Sequence, residues 1–184
     1  RHHGGGVRCA EAQDRDEDFR VDVHALRALG LYCHLRDSRQ VSLDAYAAVI
    51  DEISPYATGR DTSYYDKLFH SGAGGSDLAG TAAPLTMDDG AFAIEGSDAT
   101  VQQLCAGLGI GTETLSVLLE WTIEAQELTA PSRNLALISA CHRLAVLPRW
   151  LGHGEKDGLA LLRLFEKTHP DLFDELAGVP TLGK

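Results

Sequence analysis

The chain has 184 residues, 44% of them hydrophobic and 23% charged, enough for one domain with a real core. Its formal net charge of −11 is uneven, because residues 1–126 hold 9 Lys and Arg against 20 Asp and Glu while residues 127–184 hold 7 of each. That balance argues against a nucleic-acid or anionic-membrane surface, which needs clustered cations.

The opening RHHGGG resembles a tag or linker remnant, and residues 1–20 are set aside as that remnant and a polar lead-in. From Val21 an apolar pattern begins, with Val23, Leu26, Leu29 and Cys33 in steps of three and four, the mark of a helix face. Ser42 is placed to cap a second helix carrying Leu43, Tyr46, Ala47, Ile50 and Ile53, which Pro55 should end. Ser63–Phe69 (SYYDKLF) reads as a short helical turn with an aromatic anchor.

Ser71–Gly96 follows, with six glycines and little periodicity, an irregular insertion over about residues 70–96. Within it, Asp88-Asp89-Gly90 between LTM and AFAI is a turn signal for a small β-hairpin. A calcium loop does not fit there, since Gly90 in the EF-hand glycine position would make Leu85 the first ligand and Gly96 the last.

Asp98–Trp121 (DATVQQLCAGLGIGTETLSVLLEW) organises the chain. It is two apolar-periodic runs, Val101 to Leu108 and Leu115 to Thr122, joined at Gly109 and Gly111, with Thr112 able to cap the second. After Pro131, Ser132 should cap a helix carrying Leu135, Ile138, Cys141 and Leu144, and Pro148 should start a fresh turn before Gly152 and Gly154. Leu159, Leu162 and Phe165 mark the next helix, and PDLFDELAG a last short one from Pro170 to Gly178. Gly109, Gly111, Leu118 and Leu119 match Gly152, Gly154, Leu161 and Leu162 at an offset of 43 and Gln40, Ser42, Val49 and Ile50 at an offset of 69. A recurring helix–turn–helix unit predicts an all-α fold of stacked helical hairpins, in which each buries the face its neighbour exposes. Residues 21–184 form this single helical domain.

Candidate chemistry is sparse. GLGIGT (Gly107–Thr112) follows a helix rather than the strand that a dinucleotide fingerprint requires. Cys9, Cys33, Cys105 and Cys141 form no CxxC pair and read as free thiols. Cys33-His34 and Cys141-His142 look like thiol–imidazole pairs, but neighbours on a helix point about 100° apart. Trp121 and Trp150 lie among leucines and read as core. No catalytic, cofactor-binding or metal-ligating residue is assigned, and no apolar run reaches the roughly 20 residues of a membrane span.

TVQQLCAGLGIGTETLSVLL also resembles the helix-turn-helix of bacterial repressors, yet Ser97–Gln126 contains no Lys or Arg for phosphate contact. A second resemblance covers about Val21 to Leu182. RNLALISACHRLAVLPRWLGHGEKDGLALLRLF (Arg133–Phe165), the hairpin before it, and SLDAYAAVIDEISPYATGRDTSYYDKLF (Ser42–Phe69) running into a Gly-rich loop are similar to the A subunit of Tc (toxin complex) insecticidal toxins. The family favours Gly-Leu-Ser at its turns, where this chain has Gly-Ile-Gly, Gly-His-Gly and Gln-Val-Ser, and Pro148 interrupts what is usually a continuous helix.

Such A subunits form large pentamers, with an outer helical shell around a pore-forming channel, that bind a target cell and deliver a toxic partner. The resemblance implies a non-enzymatic shell segment of a secreted toxin. Its partners would be other segments and protomers of the parent protein and a host-cell receptor, with no nucleic acid, no cofactor and no membrane insertion by this segment. A helix-turn-helix regulator and a stand-alone helical-repeat adaptor are the alternatives.

Overall fold

A computed structural model describes residues 23–57, 61–70 and 85–179. The expected tag and lead-in over residues 1–20, and most of the Gly-rich part of the insertion, lie outside the described residues. The fold is all-α. Among the described residues there are eight helices and no strand: α1 (Val23–Arg39), α2 (Leu43–Ile50), α3 (Tyr64–Phe69), α4 (Ala99–Leu108), α5 (Thr112–Ala125), α6 (Leu135–Trp150), α7 (Glu155–Thr168) and α8 (Pro170–Ala177).

The organising hairpin is α4 and α5, and its turn is built twice more. Gly109 takes a left-handed φ of 64° and Gly111 an extended N-cap conformation. Gly152 (φ 91°) and Gly154 repeat this between α6 and α7, and Gln40 (φ 56°) and Ser42 repeat it between α1 and α2. The sequence offsets of 43 and 69 therefore mark a shared backbone geometry. A left-handed residue closes one helix and an extended residue two positions later opens the next.

α6 is the axis of the molecule, packing against α2, α4, α5, α7 and α8. Ten of its residues are buried, including Leu137, Ile138, Cys141 and Leu144. Leu104, Leu108, Leu115, Leu118 and Leu119 close around it, with Leu162 and Phe173 beneath. α1 is the opposite case: it has no buried residue.

Several local expectations are corrected by tertiary contacts. Pro148 lies inside α6 and starts no new turn; its ring faces α7, where a Cβ placed on Gly158 would stand 2.8 Å from the Pro148 Cβ. Asn134 rather than Ser132 caps α6, accepting from the Leu137 N–H at 2.7 Å. Thr112 does not cap α5; Gly111 holds the N-cap position, and its N–H donates to the Glu155 carboxylate at 2.8 Å. α2 ends at Ile50, well before Pro55, which frees Ile53 to enter the core with its N–H on the Ser139 hydroxyl at 3.0 Å.

The expected hairpin at Asp88-Asp89-Gly90 does not form. Instead the segment pairs with the α5–α6 connection through one antiparallel bridge, Ala91 to Ser132. Phe92 N–H donates to Pro131, Arg133 N–H donates to Gly90, and the Arg133 guanidinium grips both Asp88 carboxylate oxygens at 2.8 and 3.0 Å. This clasp, with a further bond from the Gly90 N–H, holds the Asp88 carboxyl below its usual range.

Candidate functional site

The motifs considered for chemistry serve the fold. Gly107–Thr112 is the α4–α5 turn, with Gly107 against the Phe69 ring of α3. Cys141 is fully buried, near the Thr122 hydroxyl at 3.6 Å, and burial pushes its thiol up to about 12. Its neighbour His142 points elsewhere, toward Tyr64 of α3 at 3.3 Å. Trp121 meets Phe173 edge-on at 5.1 Å between ring centres, and Trp150 stacks on Tyr46 at 6.4 Å. Among the described residues no group of three His, Cys, Asp or Glu is placed to hold a metal ion.

Two buried polar residues of α6, Arg143 and His142, take roles that local spacing does not assign them. Arg143 is 2% exposed and donates to three backbone carbonyls: Asp51 after α2 at 2.7 Å, Leu176 in α8 at 3.0 Å, and Gly178 just beyond it. It thus ties the open ends of two helices to the middle of a third, satisfying carbonyls that no intrahelical N–H reaches. Burial lowers its affinity for the proton, and Glu52 and Asp51 nearby oppose that shift. His142, 1% exposed, is pushed down to about 3 by burial and by the charges of Arg149 and Arg143. Its Nδ1 has no hydrogen-bond partner among the described residues. A signal for both existed: they interrupt LALISACHRLAVL, a run apolar on every side, and such a helix buries whatever it carries.

The exposed apolar surface is on α1 and α2. Val23, Leu26, Leu29 and Leu31 of α1 each stand more than half exposed, as does Leu43 of α2. Between the two helices lies a groove of about 350 Å³ whose lining includes Leu29, Tyr32, Leu43, Ala47 and Ile50. Within the hairpin Tyr32 meets Tyr46 at 5.2 Å and the Tyr46 hydroxyl donates to the Ala28 carbonyl at 2.7 Å, while α2 joins the body by packing on α6, with Tyr46 stacked on Trp150. In the repeat, Val49 and Ile50 of α2 match Leu118 and Leu119 of α5. The α5 pair is fully buried, whereas Ile50 is 42% exposed. This hairpin presents the face that its counterpart covers.

No protein-family model matches the chain. It is 27% identical over 164 residues to the toxin subunit YenA1 of Yersinia entomophaga. The chain is similar to part of a toxin subunit. That likeness runs through 86% of this chain but only 13% of the relative, so it joins the helical stack to a segment of a much longer protein. Among the described residues no helix is long and apolar enough to cross a membrane.

Proposed function

We propose that the chain is a non-enzymatic segment of the α-helical shell of a large secreted insecticidal toxin, the A subunit of a Tc complex. The observation that carries this reading is the 27% identity to a toxin subunit, sustained over 86% of the chain. The fold supports it. Polar groups of the interior are spent on joining helices, as Arg143 and Ser139 are, and the apolar surface of α1 and α2 suits packing against further helical segments of the parent protein or of a neighbouring protomer in its pentamer. A host-cell receptor is a further partner of the parent protein in this reading. DNA reading is disfavoured by geometry, because Leu115, Leu118 and Leu119 bury one face of α5 while its outer face presents Glu113, Glu120 and Glu124 to solvent.

The test is the size and location of the native polypeptide, read by immunoblot of source cells and medium with antibody against this segment. A secreted band far larger than 19.8 kDa is expected. A cell-retained band near 19.8 kDa overturns the proposal.

A further inference from the structure

A second feature, beside a different face of α6 from the Arg143 clamp, stands apart from the assembly role. α3, the C-terminal end of α4 and the later turns of α6 enclose a cleft of about 290 Å³, whose lining includes Tyr64, Lys67, His142 and Arg149. No carboxylate lines it, in a chain whose net charge is −11. Lys67 pairs with Asp44 at 2.9 Å. Arg149 makes no ion pair among the described residues. Its Nε donates to Ala145 and one terminal nitrogen to the Leu108 carbonyl at the end of α4. The other terminal nitrogen, Nη1, lies over Gly109 without a partner among the described residues. Glu155 is the acid that acts on Arg149 from behind, but Thr114 and the Gly111 N–H already hold that carboxylate.

The histidine behind the cleft gives the arrangement a direction. With Nε2–H donating to the Tyr64 oxygen, the Tyr64 O–H is free to donate outward, beside a guanidinium whose charge reaches both Tyr64 and His142. A directed hydroxyl and a guanidinium without an ion pair around an empty volume make an acceptor-seeking pocket. We propose that this cleft binds a carboxylate, contributed either by a small free acid or by an acidic side chain on a neighbouring segment. The anion bridges Arg149 Nη1 and the Tyr64 hydroxyl, with Lys67 at the mouth.

The test uses the 184-residue chain with isotope-labelled histidine, following the His142 ring nitrogens by NMR. It is titrated with succinate and, separately, with N-acetylglutamate amide, against matched sodium chloride and the uncharged N-acetylglutamine amide. A saturable shift with the blocked glutamate assigns the site to an acidic side chain, and a shift with succinate alone assigns it to a small diacid. Tyr64→Phe keeps the ring against His142 and should weaken binding about tenfold, the effect of one hydrogen bond to a charged group. Lys67→Gln, at a partly exposed position, gives an independent loss of affinity if Tyr64→Phe perturbs folding. No saturable shift, an equal shift with chloride, or unchanged affinity in both variants overturns the proposal.

Discussion

At the scale of single residues, Arg143 and His142, two of the polar side chains buried in α6, make opposite contributions. Arg143 is a buried charge whose desolvation cost is offset by three carbonyl acceptors from the ends of two helices. Arg143→Met removes the charge but strands those carbonyls at roughly 1–3 kcal/mol each, against desolvation energy recovered. The net expectation is a loss of roughly 2–4 kcal/mol in urea unfolding, with faster amide exchange in α8. His142 makes stability depend on acid. Its folded pKa of about 3 lies below the ordinary value near 6.5, so the unfolded chain binds its proton more readily. The stabilisation is therefore complete above pH 6.5 and lost as pH falls from there toward 3. The slope approaches about 1.4 kcal/mol per pH unit, so about 2 kcal/mol is gone at pH 5. His142→Phe should flatten the urea midpoint between pH 7 and 5, a window above the range where Asp88 and Glu155 take up protons. An unchanged slope in the variant would assign the acid sensitivity elsewhere.

At the scale of elements, the three matched turns differ in how well their residues suit them. Gly109 and Gly152 take the left-handed conformation without a Cβ, whereas Gln40 takes it with one. Gln40→Gly should gain about 1 kcal/mol and Gly109→Ala lose about 1–2, read as shifts of the denaturation midpoint. Gly158 reverses the usual rule for helices. Alanine normally favours a helix over glycine by about 1 kcal/mol, but here its methyl would meet the rigid Pro148 ring. Gly158→Ala is expected to destabilise by roughly 1–3 kcal/mol in thermal unfolding, as overpacking does. The same contact shows why helix boundaries were harder to read than helices. The stripes on α4, α5 and α7 were legible because periodicity reports burial directly, whereas of the α2 stripe only Tyr46 and Ile53 are buried and Leu43, Ala47 and Ile50 are exposed. From sequence alone Pro148 reads as the start of a fresh turn, because its fit inside α6 is decided by its contact with Gly158 of α7. Ser132 and Thr112 had the right chemistry for caps, but Ser132 was taken by the bridge to Ala91 and Thr112 was displaced when Gly111 found an acceptor in Glu155. Arg143 and the Tyr64–His142 pair join elements far apart in sequence, and no local spacing announces such a meeting.

At the scale of the whole molecule, stability is graded from α6 outward. A helix of 17 residues with no buried side chain, held by an aromatic contact and a hydroxyl of Tyr46, is close to the length at which isolated helices are marginal in water. Hydrogen exchange on the isolated chain should find α1 nearly unprotected and α6 exchanging only on global unfolding. Equal protection in the two would mean that the α1–α2 hairpin folds as one unit with the rest.

The point where the chain leaves α3 lies beside the point where it returns. The Leu85 carbonyl accepts from the Tyr65 hydroxyl at 2.9 Å and stands 3.2 Å from Nε2 of His70, while Leu85 itself is buried in the core. His70 and Leu85 are thereby held side by side by the body of the protein. Position 70 to 85 is therefore a natural port, where a fluorophore-bearing peptide or a small folded domain can be spliced in to report on the parent protein without entering the helical stack.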